Sequence, residues 1–171
     1  YPHLFERLVL VAPPLTILQE TYPGPLNAFV KFVLRTPIVG QFVYNLLTSR
    51  KAIRGYYDRQ GYHNPGLISD ELVEYIFTSA HQPASRYAQA SFLSGYLNLD
   101  AQEPFLRLQM PVIAVLGREG TPSPSEASLT FKKVNGRIDV RIIEKSHVHL
   151  QDEQAGQLNN LIRELAGATI Y

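Results

Sequence analysis

The chain of 171 residues contains no cysteine. Disulfides, thiolate metal sites and cysteine nucleophiles are therefore excluded. The compartment stays open, because the absence only withdraws the argument for an oxidising one. Charge of one sign is also lacking. Sixteen Lys and Arg against fifteen Asp and Glu leave a formal net charge of +1, so no field draws the protein toward nucleic acid or acidic partners. No apolar run approaches the roughly 20 residues of a membrane-spanning helix. There is no internal repeat and no low-complexity segment. The first residues, Tyr1 to Arg7, include no initiator Met and do not resemble a signal peptide. The expectation is a chain that begins inside a longer protein. What is present is an apolar fraction of 45% and a charged fraction of 18%, the composition of a soluble globular protein with one core. The cytoplasm or an organellar lumen is the expected compartment.

Three short apolar runs read as strands. Leu8 to Ala12 is continuous and closed by Pro13 and Pro14, which suits a strand buried on both faces. Pro111 to Leu116 is a second such run, and Arg137 to Ile143 reads as the third strand. Between the last two, Ser123, Pro124 and Glu126 form a capping-box start for a helix that stops at Asn135-Gly136. After the third run, Leu158, Leu161, Ile162 and Leu165 recur at helical spacing. Strand, helix, strand and helix with apolar strands point to a parallel sheet of the α/β class.

From Leu15 to about Asp100 the pattern is helical. Pro25 opens a helix with Leu26, Phe29, Val30 and Val33 on one face, and Thr36-Pro37 ends it. Val39, Phe42, Val43, Leu46 and Leu47 predict the next, with Arg50, Lys51 and Arg54 complementing the dipole at its end. Ser69 caps a third, with Leu72, Val73, Ile76 and Phe77 inside. A fourth is expected from Ala84 to about Leu97, packing through Ala88, Ser91, Phe92 and Gly95.

Chemistry is expected at two strand ends. Glu119 follows the second strand, and His147 and His149 follow the third. Parallel neighbours bring both loops to one edge of the sheet, where open α/β sheets place their ligands. A carboxylate that accepts a hydrogen bond from an imidazole fixes its tautomer and stabilises its charged form. Glu119 and one of the two histidines are candidates for that pair.

These residues carry a resemblance. Tyr1 to Pro13 resembles the segment after the nucleophile elbow of the α/β-hydrolases, where a helix end leads into the sixth strand. Leu15 to about Asp100 is similar to their inserted helical cap. Pro111 to Pro122 resembles the seventh strand with its acid loop, and Ile142 to Asp152 the eighth strand with its histidine loop. The resemblance implies the C-terminal part of an α/β-hydrolase parallel sheet. Residues 1–13 would be a core helix end and strand, 14–100 the cap with a return helix, and 101–171 the rest of the core. It further implies His147 as catalytic base, His149 as second choice, and Glu119 as the orienting acid. No metal and no cofactor are implied. The expected activity is hydrolysis of an ester or related carbonyl of an apolar small molecule. Phe29, Phe42, Tyr44, Tyr56, Tyr57, Phe77, Phe92 and Tyr96 supply aromatic surface to the cap, while the residues that bind substrate stay unassigned.

The chain departs from the family pattern at three places. The family's acid usually stands three residues after the strand-end glycine, which is Gly120 here, with Glu119 one residue early. Ser146 replaces the glycine before the histidine. A carboxylate, Asp152, stands five residues after His147, but Gln154 replaces a proline two residues further on. No Gly-x-Ser-x-Gly occurs anywhere. The nucleophile, the oxyanion hole and the N-terminal half of the sheet are therefore expected upstream or on a second chain, and these 171 residues alone are expected to be inactive. Two other classes compete. One is a non-catalytic relative that binds a small apolar ligand or a protein. The other is a membrane-surface module built on Leu26 to Leu47 and the basic cluster at Arg50, Lys51 and Arg54.

Overall fold

The computed structural model describes residues 4–13, 23–97, 102–121 and 124–167. The three apolar runs form one sheet. Its strands are β1 (Leu8–Val11), β2 (Val112–Gly117) and β3 (Ile138–Ile143), in the order β1-β2-β3 and parallel throughout. The ladder pairs Leu8 with Val112 on one side of β2 and Val112 with Ile138 on the other, and it ends at Gly117 opposite Ile143. Every residue of β2 is buried, as a central strand covered on both faces requires.

Alternation along β2 divides the core. Val112, Ala114 and Leu116 pack with Ile138 and with Phe105, Ala127, Phe131 and Val134. Phe105 lies on α6 (Gln102–Leu106), and the last three on α7 (Pro124–Val134). Ile113, Val115 and Ile143 face the other way, onto Leu150 of α8 (Leu150–Glu153) and Leu158 of α9 (Ala155–Leu165). The expected cap at Ser123 lies outside the described residues. The other end of α7 is tied down by Asn135. Its side-chain amide donates to the Phe105 and Leu108 carbonyls at 2.8 and 3.2 Å, and its Oδ1 accepts from the Arg137 N–H at 3.0 Å. The outer edge of β1 has no strand partner among the described residues.

Between β1 and β2 lie α1 (Pro25–Arg35), α2 (Val39–Leu47), α3 (Arg50–Tyr56), a π-helical turn (Tyr57–Gly61), a 3-10 turn (Pro65–Leu67), α4 (Asp70–Ala80) and α5 (Ser85–Leu93). Ile53, Tyr62, Ile68 and Val73 form a core separate from the two on the sheet, joined by Leu72, Ile76 and Phe77. Ser69 caps α4, accepting from the Leu72 N–H at 3.1 Å.

Three expectations about helix faces need correction. Leu26, Phe29, Val39, Phe42, Leu46 and Leu47 are exposed, whereas Leu34, Gly40 and Tyr44 are buried. The reason is close approach: a Cβ on Gly40 would lie 2.4 Å from the Leu34 carbonyl oxygen, so the α1–α2 contact runs through a residue without a side chain. Tyr44 goes inside because its hydroxyl has partners there, donating to the Ala80 carbonyl at 2.6 Å. Likewise α5 packs through Ala90 and Ser94 rather than Ala88 and Phe92, and the Ser94 carbonyl accepts from Asn27 Nδ2 at 3.1 Å. Finally, Arg50 and Lys51 do not end α2. Ser49 caps a new helix by accepting from the Ala52 N–H at 3.3 Å, which puts both cations in its first turn. Arg50 is offset there by a two-pronged ion pair with Glu74 at 2.7 and 2.8 Å, and Arg54 pairs with Asp70. No described helix is long and apolar enough to cross a membrane.

Phe131 is completely buried between α7 and the sheet. Phe131→Ala is expected to cost about 3–5 kcal/mol, read as a shift in the urea unfolding midpoint with little change of slope.

Candidate functional site

The register decides where the candidate residues meet. Because Gly117 pairs with Ile143 at the C-terminal end of a parallel ladder, the loops that follow leave the same rim. They are then laced together. The Arg118 N–H donates to the Ile143 carbonyl at 3.0 Å and the Glu119 N–H to the Ser146 carbonyl at 3.1 Å. The Ser146 N–H answers to Glu119 Oε2 at 2.8 Å. Arg118 also grips Glu144 through Nε at 3.0 and 3.1 Å, and its guanidinium holds that carboxyl below the usual carboxylate range. The fit leaves no room for a side chain on Gly117: a Cβ there would lie 2.1 Å from the His147 carbonyl oxygen. Ser146 is completely buried, and its hydroxyl donates to the Ile143 carbonyl at 3.0 Å.

His147 is half-buried. Its backbone N–H donates to Glu153 Oε2 at 2.6 Å, while its Nδ1 is buried with no hydrogen-bond partner among the described residues. Such a nitrogen has lost water without replacing it, which carries a penalty of about 1–3 kcal/mol. His149 is also half-buried and belongs to a cluster of three rings. Its centroid is 5.2 Å from Tyr57 and 5.1 Å from Tyr62, the tyrosines are 5.5 Å apart, and the planes tilt by 26–29°. Glu119 stands beside the histidine loop, yet its hydrogen bond goes to the Ser146 N–H rather than to either imidazole. Its Oε1 lies 3.5 Å from Nδ1 of a third histidine, His63.

His63 brings in residues that the sequence reading missed. The stretch from Tyr57 to Asn64 crosses the rim and touches both loops. Tyr62 donates its hydroxyl to Asp152 Oδ2 at 2.8 Å. The backbone N–H groups of His63 and Asn64 both donate to Glu153 Oε1, at 2.7 and 3.0 Å. Burial, and then the hydrogen bond to Asp152, raise the Tyr62 hydroxyl above its ordinary pKa. These partners lie about ninety positions apart, and no local pattern announces them. Asp152 alone had a signal, its spacing from His147. Chemically, the rim offers an imidazole, two carboxylates that gather N–H donors and a screened phenol, a set suited to proton transfer. No group of three or more His, Asp or Glu is arranged to hold a metal among the described residues.

The fold is similar to that of several solved structures. The chain is similar to the wild-type Cfl2 protein of Burkholderia cenocepacia, at TM-score 0.66 and 21% identity, covering 96% of this chain and 58% of that one. It is similar to a meta-cleavage product hydrolase from Pseudomonas fluorescens, at TM-score 0.64 and 21% identity, covering 95% and 56%. A carboxylesterase from Bacillus subtilis matches at TM-score 0.58 and 14% identity, covering 96% and 52%. No protein-family model and no curated protein matches the sequence. The chain therefore has the fold of the C-terminal part of the α/β-hydrolase fold, a parallel sheet with helices inserted after its first strand here. The chain spans a little over half the length of the solved structures it resembles.

The Tyr62 contact has a pH signature. Its folded pKa is raised above the ordinary 10.0, so above pH 10 the native state keeps a proton that the unfolded chain releases. Stability from this group is complete below pH 10 and falls as pH rises beyond it. Tyr62→Phe is expected to flatten that fall, measured as denaturation midpoints between pH 8 and 11. A part remains, because burial raises Tyr57 too.

Proposed function

We propose that this chain is the C-terminal part of a hydrolase that transfers an acyl group to water from an ester or related carbonyl of an apolar small molecule. The observation that carries the reading is the junction of the two loops after β2 and β3, bonded through Glu119 and Ser146 at 2.8 and 3.1 Å. Residues 14–100 act as the cap, and the serine nucleophile, oxyanion hole and remaining strands come from upstream or from a second chain. The unpartnered edge of β1 is where that half of the sheet would join.

In this mechanism His147 takes the proton of the serine as it attacks the carbonyl carbon. It then returns the proton to the leaving group. His147 is preferred to His149 because its Nδ1 is buried and unpaired, ready for an orienting carboxylate, whereas the ring of His149 is packed against two tyrosines. Glu119 is given that role because it stands on the neighbouring loop, where its Oε2 reaches the N–H of the residue before His147. Backbone N–H groups of the upstream half would hold the oxyanion. An apolar substrate suits the exposed Phe29, Phe42 and Phe92 of the cap.

One observation favours a second reading, a non-catalytic relative that binds a small apolar ligand or a protein. The Glu119 carboxylate is engaged by the Ser146 N–H and His63 instead of His147. Labelling of the full-length protein with a fluorophosphonate probe decides between them. The hydrolase reading expects covalent labelling that falls by at least about a hundredfold in His147→Ala, in line with the worth of a general base, and much less in His149→Ala. An unlabelled wild-type protein would leave the binding reading standing.

A further inference from the structure

We propose that Glu153 is a positioning residue for His147, and that it makes the placement of the base depend on the cap. The inference rests on His147 as the base of the proposed hydrolase. One carboxylate gathers three backbone donors from two parts of the fold. Oε2 accepts from the His147 N–H at 2.6 Å, and Oε1 from the His63 and Asn64 N–H groups at 2.7 and 3.0 Å. Charge-assisted bonds of this length are among the stronger ones a loop makes. They fix the backbone from which the His147 ring projects, and they fix it relative to residues 63 and 64 of the cap.

Other ties along the same seam act in the same sense. Tyr62 holds Asp152, the neighbour of Glu153, and His63 approaches Glu119. Gln154 closes the histidine loop on itself, donating to the Lys145 carbonyl at 3.0 Å. Beside the carboxylate runs a cleft of about 370 Å³ lined by His63, Asn64, Lys145 and Glu153. Its walls are the two parts that Glu153 joins, so this is where cap and histidine loop would separate. A cap that opens by pulling residues 63 and 64 away must break the Oε1 bonds and leave the His147 backbone held by Oε2 alone. The imidazole is then placed best when the cap is down over a substrate.

Hydrogen exchange on the chain, with fluorophosphonate labelling of the full-length protein, tests this. In Glu153→Ala the amides of His63, Asn64 and His147 are expected to exchange together, about tenfold faster or more, given the strength of hydrogen bonds to a charged group, while amides within β2 keep their rates. Glu153→Gln keeps one acceptor oxygen and the volume, so it is expected to free one side of the clamp and spare the other. It decides the matter if the alanine variant does not fold. Unchanged exchange at all three amides in the glutamine variant, or in a folded alanine variant, overturns the clamp. In the labelling arm, the limiting rate is expected to fall about tenfold with the half-saturating probe concentration unchanged; a change in that concentration alone overturns the positioning role. If wild-type protein is not labelled while the three amides respond as expected, the hydrolase reading fails and the clamp stands.

Discussion

The ladder between β2 and β3 is the constraint on which the rest depends. Six consecutive pairs, from Val112 with Ile138 to Gly117 with Ile143, align two strand ends so closely that the chain beyond them has one way to go. Gly117 shows how tight the junction is, since the His147 carbonyl oxygen occupies the space where a Cβ would be. With that oxygen fixed, Ser146 is buried against Ile143, and Glu119 meets the Ser146 backbone from the other loop. A parallel pair of strands thus converts residues about thirty positions apart into neighbours with little freedom to rearrange.

The inserted helices relate to this core in a different way. They carry their own apolar cluster around Ile53, Tyr62, Ile68 and Val73, separate from the clusters on the sheet. The contacts described between residues 57–64 and the loops of the rim are hydrogen bonds, an ion pair and stacked rings. Apolar burial resists separation because the lost area goes back to water. Polar bonds at a surface can exchange partners with water at modest net cost. In the proposed hydrolase, such bonds at the rim would suit a cap that closes over the site while keeping its own interior intact.

What could be read from the sequence follows from the same physics. β2 was legible because full burial demands an unbroken apolar run; β1 is only partly buried but apolar and closed by prolines, and β3 carries Asp139 and Arg141 between its apolar residues. The acid and histidine loops were legible because parallel order predicts a shared rim. The buried faces of α1, α2 and α5 were not. Helical spacing picks out large apolar residues, but these helices approach too closely for them and select Gly40, Ala90 and Ser94 instead. Phe29, Phe42 and Phe92 then point outward. Likewise Ser49, a local capping signal, overrode the apparent continuity of the helix through Arg50. Glu153 and His63 stayed hidden because His63 lies on a segment inserted between two strands and meets Glu119 and Glu153 far along the chain, so sequence distance says nothing about spatial distance there.

The edge of β1 has no strand partner among the described residues and so offers N–H and C=O groups to another strand, while Phe29, Phe42 and Phe92 are exposed on the helical part. This chain covers 52–58% of the solved structures it resembles. A sheet that grows from the β1 edge satisfies the open backbone groups directly. It also extends the rim on which Glu119 and His147 stand, because in a parallel sheet every new strand ends at the same edge as its neighbours. In the proposed hydrolase, the addition that completes the backbone pairing would also carry the serine to the rim on which His147 stands.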